Sequence, residues 1–351
     1  MKCLRFCQYL ILMIGVIFAI TACQLNSKHQ SLESAPSTPP RLDDCRVISH
    51  AQGETEICGQ PERIAVLGPF VLEPLIALGI QPVAFADQVA WHQGDYDQPS
   101  QQIPYLGEYI TNSLTNVGLA YQPSIETLIK VQPDLILGAD FNNTEQYEVL
   151  SEIAPTLLLK WDETETNVTT IAKAAGHPEK ARPLIAEMKR KIETVKADFL
   201  PFVEDHSNIL LLSSSQLSEI YLGNTAHGLC SSLLVDLGFN LVAPEGVREN
   251  QAGMPVPISL ETLTQVKDAD AIILLGSNLN ELATPDSLRE QQLAGLKQAW
   301  ADNAIAQSLD ASKAERVYFI PAYLCLGLPG PIGTELYLEE LKKQLLSNPQ
   351  S

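Results

Sequence analysis

Ser124-Ile-Glu-Thr-Leu-Ile-Lys-Val131 and Ser259-Leu-Glu-Thr-Leu-Thr-Gln-Val266 nearly repeat one another. Each is followed by an Asp and an apolar run ending in glycine: Asp134-Leu-Ile-Leu-Gly138 and Asp270-Ala-Ile-Ile-Leu-Leu-Gly276. In both repeats the Ser is a good N-cap, because its hydroxyl can accept from a free first-turn amide. An acid in that turn complements the helix dipole. The apolar run reads as a strand buried on both faces. The echo therefore predicts two similar α/β lobes, each presenting one glutamate, Glu126 or Glu261, at a matched place. Ile125, Leu128 and Ile129 are expected to face inward, leaving both glutamates in solvent, with Lys130 in i+4 reach of Glu126. Dipole complementarity accounts for one such acid. Two at equivalent places are either a trace of duplication or a two-point docking surface.

The same alternation extends outward from the repeats. Arg63-Ile-Ala-Val-Leu67 reads as a short buried strand, followed by Pro69 and an apolar helix from Phe70 to Leu78, stopped by Gly79. A strand restarts at Val83-Ala-Phe85. The stretch Asp87–Tyr105 is expected to be a loop too polar for core. A helix near Thr144–Ile153 lies between strands at Leu135–Leu137 and Thr156–Leu159. This strand–helix order implies a mainly parallel sheet with helices on both faces, in a Rossmann-like lobe.

Residues 178–200 break the rhythm. Ala181, Leu184, Ile185, Met188, Ile192, Val195 and Phe199 recur at helical spacing, predicting one long, stiff connecting helix. The βα pattern then resumes with strands at Ile209–Leu212, Ala271–Leu275 and Val317–Ile320. Helices are expected at Leu229–Leu237 and Leu288–Trp300, and a closing helix at Gly333–Leu346. The expected fold is thus α/β: an N-terminal lobe at 61–177, the connecting helix at 178–200 and a C-terminal lobe at 201–351.

The first residues read as targeting rather than fold. Lys2 and Arg5 precede a mostly apolar run, Leu10–Ile20, and Ile20-Thr21-Ala22-Cys23 closes it. The run is shorter than the ~20 residues of a spanning helix. We expect a lipoprotein signal at 1–22, with Cys23 carrying the lipid, rather than an ordinary cleaved signal. Residues 23–43, rich in Ser, Gln and Pro, bury too little apolar surface to order themselves and read as a tether. The expected location is the cell envelope, anchored through lipid, on the periplasmic or extracellular face.

A formal charge of −19 argues against nucleic acid, whose phosphates need a basic footprint, and against anionic lipid surfaces. Cys45 and Cys58 flank alternating residues around Gly53, which predicts a hairpin at 44–60 stapled by a disulfide in an oxidising compartment. Cys230 and Cys325 either pair or stay as buried thiols. The six histidines form no HxH, HxxxH or HExxH group, so no direct metal site is expected. There is no GxSxG, P-loop or GxGxxG after a strand, and no enzyme or cofactor is expected. Ser213-Ser-Ser215 reads as a polar strand end.

Taken together, these pieces resemble class III periplasmic substrate-binding proteins, the iron-siderophore and cobalamin binders of ABC importers. The resemblance spans about residues 60 to 347. It rests on Arg63–Leu67, Leu75-Ile-Ala-Leu-Gly79-Ile-Gln-Pro-Val83, the two Ser-x-Glu-Thr-Leu segments, Gln132-Pro-Asp-Leu-Ile-Leu-Gly138, Leu234-Val-Asp-Leu-Gly-Phe239 and Gly330-Pro-Ile-Gly-Thr-Glu-Leu336. The Cys45–Cys58 hairpin looks like the ferric-siderophore branch found in cyanobacteria and similar organisms. The resemblance implies two lobes joined by a rigid helix, a ferric siderophore in the cleft, and Glu126 and Glu261 docking onto arginines of an ABC permease dimer. It implies a monomer that meets permease, siderophore and, through lipid, membrane.

A bulky, mostly anionic chelate calls for aromatic walls and cationic donors in loops that follow strands. The candidates are Trp91, Tyr96, Tyr105 and Trp161 in the first lobe, with Tyr221, Arg248 and Tyr323 in the second. Each has a bland alternative as a packed ring or a solvated charge. Cobalamin is the competing cargo. An envelope sensor or adhesive lipoprotein of this fold is the competing class, and a hydrolase comes third.

Overall fold

A computed structural model describes residues 44–161, 163–223, 228–247, 256–279 and 288–346. The expected signal and tether, with Cys23, and also Arg248, lie outside the described residues.

Strands β1 (Cys45–His50) and β2 (Gly53–Cys58) pair as an antiparallel hairpin, with Cys45 directly opposite Cys58 and bonded to it. Arg46 docks the hairpin by donating to the carbonyls of Gly59, Lys173 and Ala174.

The first lobe follows as β3 (Ile64–Leu67), α1 (Pro69–Ala77), β4 (Ala84–Asp87), β5 (Thr115–Leu119), β6 (Gln122–Pro123), α2 (Ile125–Val131), β7 (Leu135–Ala139), β8 (Thr156–Leu159) and α3 (Thr164–Ala174). Its strand order is β6-β5-β4-β3-β7-β8, and only β5–β6 is antiparallel. Alternate residues of β3 feed two core layers, because successive side chains point to opposite faces. Ile64 and Val66 pack with Leu72 and Leu75 of α1 and Ile171 of α3. Ala65 and Leu67 pack with Leu128 of α2 and Leu150. Burial on both faces is why β3, β7 and β8 read as unbroken apolar runs.

Helix α4 (Ala181–Asp205) buries Met188, Ile192 and Phe199. A short turn at Pro178–Lys180 precedes it, and the helix runs past Pro201, beyond its expected end at residue 200. Phe202, edge-on to Phe239 and Tyr318, carries it past the proline.

The second lobe comprises β9 (Asn208–Gln216), β10 (Glu219–Leu222), α5 (Leu229–Leu237), β11 (Asn240–Leu241), β12 (Val256–Ile258), α6 (Leu260–Leu263), β13 (Ala271–Gly276), α7 (Leu288–Asp302), β14 (Val317–Pro321) and α8 (Pro331–Leu341). The order is β12-β10-β9-β13-β14, with β11 also beside β9. Strands β9, β11, β13 and β14 pair in parallel, and β10 and β12 add an antiparallel edge. Ile209 and Leu211 face α4 and α5, while Leu210 and Leu212 face Leu296 and Trp300 of α7. The chain is therefore two lobes with mainly parallel sheets and one long helix between them. No helix among the described residues is long and apolar enough to cross a membrane.

Two local expectations need correcting. The stretch after β4 is not too polar for core: Tyr96 is 2% exposed, packs on Phe85 and pairs with Leu114 through its backbone. Ile129 does not face inward but is 57% exposed. Helix α2 is only seven residues long, and its inner stripe is completed by Leu128 and Val131 instead.

Candidate functional site

The parallel strands of both lobes aim their C-terminal ends at a shared cavity of about 190 Å³. From the first lobe come Pro69 and Phe70, just after β3, Gln88 after β4 and Phe141 after β7. From the second come Ser277 and Leu279 after β13, and Ala322, Tyr323, Leu326 and Gly327 after β14, with Gln292 of α7. This is the place where open α/β sheets hold ligands, since strand ends and helix starts leave backbone groups and loops free there.

The walls are apolar and partly preset. Phe70 and Phe141 meet edge-to-face with centroids 5.8 Å apart, and Phe141 keeps 57% of its surface exposed at the rim. Tyr105 of the first lobe stacks on Tyr323 of the second at 5.7 Å, so an aromatic pair bridges the lobes. Gln292 is locked on both sides: its Oε1 accepts from the Tyr323 amide at 3.1 Å and its Nε2 donates to the Leu288 carbonyl. Gln88 Oε1 accepts from Asn142 Nδ2 at 3.0 Å, which turns its amide nitrogen away from that partner.

Asp87 precedes the lining residue Gln88. Its Oδ1 accepts from the Gln88 amide at 2.7 Å, and burial pushes the carboxyl up to about 7. Burial also raises Tyr96 and Tyr323, and the Asp87 charge adds to the shift of both. The first lobe thus places a carboxyl that changes charge near neutrality within electrostatic reach of the interlobe tyrosines.

The candidate aromatics divide by position. Tyr323 lines the cavity, and Tyr105 stacks on it. Tyr96 sits in the core beneath, against Phe85 and His92. Trp91 is half-buried, and its indole Nε1 has no hydrogen-bond partner among the described residues. Trp161 is half-buried with its ring against Gly228 of the other lobe. Tyr221 lies on β10, paired with Ser213 and Pro257, away from the cavity lining. Phe70, Phe141, Gln88, Ser277 and Leu326 escaped sequence reading, which weighed tryptophans, tyrosines and an arginine. The signal that finds them is position, since most of them immediately follow a parallel strand.

Both repeat glutamates sit in the first turn of a Ser-capped helix. Ser124 Oγ accepts from the Thr127 amide and Ser259 Oγ from the Thr262 amide, each at 3.3 Å. The Glu126 side chain is 80% exposed and takes a 2.7 Å contact from Lys130. Glu261 is exposed, and its own amide and the Ser259 hydroxyl hold its carboxyl below the usual range.

Residues 64–324 match the model of a family described as periplasmic binding protein. The chain belongs to that family. Similar binding proteins include the Fe(3+)-citrate-binding protein YfmC of Bacillus subtilis, 29% identical over 281 residues that cover 78% of each chain. The probable siderophore-binding lipoprotein YfiY of the same organism is 27% identical over 74% of this chain and 78% of its own. Among solved structures, Staphylococcus aureus SirA complexed with staphyloferrin B superposes with a TM-score of 0.67. It is 21% identical and covers 86% of this chain and 98% of that one, a likeness of fold.

Proposed function

We propose that this chain is the lipid-anchored substrate-binding component of an ABC importer, holding a ferric siderophore between its lobes and delivering it to a membrane permease dimer. The observation that carries this reading is the apolar, aromatic-walled cavity at the strand ends of both lobes, in a member of the periplasmic binding protein family. The relatives named for Fe(3+)-citrate and siderophore binding support the cargo class, and the one named a lipoprotein supports the anchor at Cys23. Iron that arrives already wrapped needs shaped walls and a few hydrogen bonds rather than protein ligands. In this reading Trp91, Tyr105, Trp161 and Tyr323, with Phe70 and Phe141, face the chelate, while Tyr96 supports them from below. Arg248 supplies a cationic donor, and Tyr221 lies at the outer margin.

Glu126 and Glu261 are the docking points for basic residues of the permease. Two matched charges contribute register and encounter rate more than affinity. The protein is a carrier rather than an enzyme, works as a monomer and holds no cofactor of its own.

Native mass spectrometry of the purified soluble body with ferric hydroxamate, ferric catecholate, ferric citrate and cobalamin tests the cargo. A one-to-one complex with a ferric chelate is expected. Binding of cobalamin alone moves the cargo to the corrinoid class, and binding of none of the four overturns the reading.

A further inference from the structure

Cys230 and Cys325, which sequence reading left open, are bonded across 95 residues, and both are fully buried. Their neighbours are more informative than the bond itself. Cys325 sits in the turn Tyr323–Gly327, of which Tyr323, Leu326 and Gly327 line the cleft. Cys230 lies in the first turn of α5, two residues after Gly228. Gly228 has φ +48, and a Cβ there would stand 2.7 Å from Cζ3 of Trp161 in the first lobe. Only glycine tolerates both that backbone and that approach. Tyr323 in turn stacks on Tyr105 of the first lobe. The bridge therefore ties together two places where the second lobe meets first-lobe aromatic rings.

Both places lie at short helical ends, the first turn of α5 and the five-residue Tyr323–Gly327 turn. The body of α5 is anchored by Leu233, Leu234 and Leu237, but its start is a bare glycine against a ring. The segment after β14 is a single wide helical turn of five residues, joined to Ala322 by the Cys325 and Leu326 amides and to Gln292 by the Tyr323 amide. Two short terminal segments that must keep a fixed spacing gain most from a covalent tie, because looseness in a binding wall costs affinity directly.

We propose that the Cys230–Cys325 bridge is a positioning element of the cleft, holding the Tyr323–Gly327 wall in register with the Gly228–Trp161 contact. This rests on the reading of the cavity as the cargo site. The bland alternative is a staple that stabilises the fold alone, as the Cys45–Cys58 bond staples the hairpin.

The test compares two double variants of the full chain, Cys230→Ala with Cys325→Ala and Cys45→Ala with Cys58→Ala, well below their unfolding midpoints. Ferric citrate and ferrioxamine B are the probes, read by quenching of tryptophan fluorescence, and amide exchange is followed without chelate. Loss of the Cys230–Cys325 bridge should lower affinity for the bound chelate roughly tenfold or more and speed exchange at 228–231 and 322–328. Exchange in β9 and β13 should not change. Loss of the hairpin bridge should leave affinity unchanged. Wild-type affinity in the folded Cys230→Ala, Cys325→Ala chain, or unchanged exchange at 322–328, overturns the proposal. If the wild-type chain binds neither probe, the cargo is decided by the four-ligand panel, and exchange at 228–231 and 322–328 alone decides the positioning role. If the alanine pair does not fold, phosphine reduction of the remaining bridge in the Cys45→Ala, Cys58→Ala chain gives the same exchange readout.

Discussion

Glu73 Oε1 accepts a hydrogen bond from the Ile332 amide at 2.5 Å, joining α1 to the start of α8 across 259 positions of sequence. The Gly333 amide donates to the same oxygen at 3.4 Å. Helix α1 begins with two cleft residues, Pro69 and Phe70, and α8 follows the cleft-lining turn at Tyr323–Gly327. A fully buried carboxyl therefore connects the backs of two cleft walls.

That carboxyl makes stability pH-dependent in a direction opposite to a surface ion pair. Burial pushes Glu73 up to about 8 and Asp87 to about 7, in spite of the backbone amides that favour their charged forms. In the unfolded chain both lose their protons near pH 4. Between about pH 4 and 8 the folded chain thus binds more protons, and stability falls as pH rises, by at most about 1.4 kcal/mol per unit for each group. Below that window both states are protonated, and above it both are charged, so the slope from these groups vanishes. Urea midpoints measured from about pH 5 to 9 should decline in the wild type and decline less steeply in Glu73→Gln. Equal slopes in the two proteins would remove Glu73 as the cause.

Gly330 makes the contact possible. A Cβ at residue 330 would lie 1.6 Å from Glu73 Oε2, whereas the Gly330 φ of −107° suits any residue. The demand for glycine here is steric and not conformational. Gly330→Ala should destabilise by about 1–3 kcal/mol through overpacking, read as a lower urea midpoint. Adding Glu73→Ala should recover part of the loss, because the space is then free. A double variant no more stable than the additive sum would argue against this contact.

Much of the fold was legible because its physics is local. Ser124 and Ser259 announce helix starts through their own hydroxyls, and β3, β7, β8 and β13 announce burial on both faces through unbroken apolar runs. What escaped depends on partners distant in sequence. Glu73 reads as a stray acid in the apolar helix Phe70–Leu78, and only the arrival of α8 explains it; an acid inside such a run was the available signal. Tyr96 looked like a loop aromatic because its partners are distant in sequence: Phe85 lies on β4, and Leu114, its backbone partner, just before β5. The edge strands β10 and β12 are too short and mixed to show a period. The cleft itself was legible as a location, since it follows strand ends, but not as a residue set.

The hairpin should depend on Arg46 as much as on its disulfide. The guanidinium makes three hydrogen bonds to carbonyls, two of them in the last turn of α3, and burial lowers its affinity for protons. Arg46→Ala removes three hydrogen bonds from a charged donor, two part-buried and one exposed, a cost of about 1–3 kcal/mol. Removing the Cys45–Cys58 bond is worth about 3 kcal/mol by chain-entropy reasoning. Both losses should appear as faster amide exchange in β1 and β2, with β3 and β7 protected. Uniformly faster exchange through the first lobe would mean that the hairpin is part of its cooperative core instead.

The proposed docking role of Glu126 and Glu261 can be separated from cargo binding, because both side chains point to solvent from short capped helices and neither lines the cleft. Glu126→Ala also breaks the contact with Lys130, an exposed i,i+4 pair worth about 0.3–0.5 kcal/mol, so folding should hardly change. Encounter with a permease is a different matter. Each lobe contributes one charge, so removing one leaves the complex a single point of register, and removing both leaves none. Single variants should therefore slow uptake of the bound chelate in cells, and the double variant Glu126→Ala, Glu261→Ala should abolish it. Affinity for the chelate in solution should match that of the wild type throughout. Substituting Gln at both sites should behave like Ala, since charge rather than shape sets the register. Wild-type uptake by the double variant would remove the docking assignment and leave the matched acids as helix-dipole partners alone.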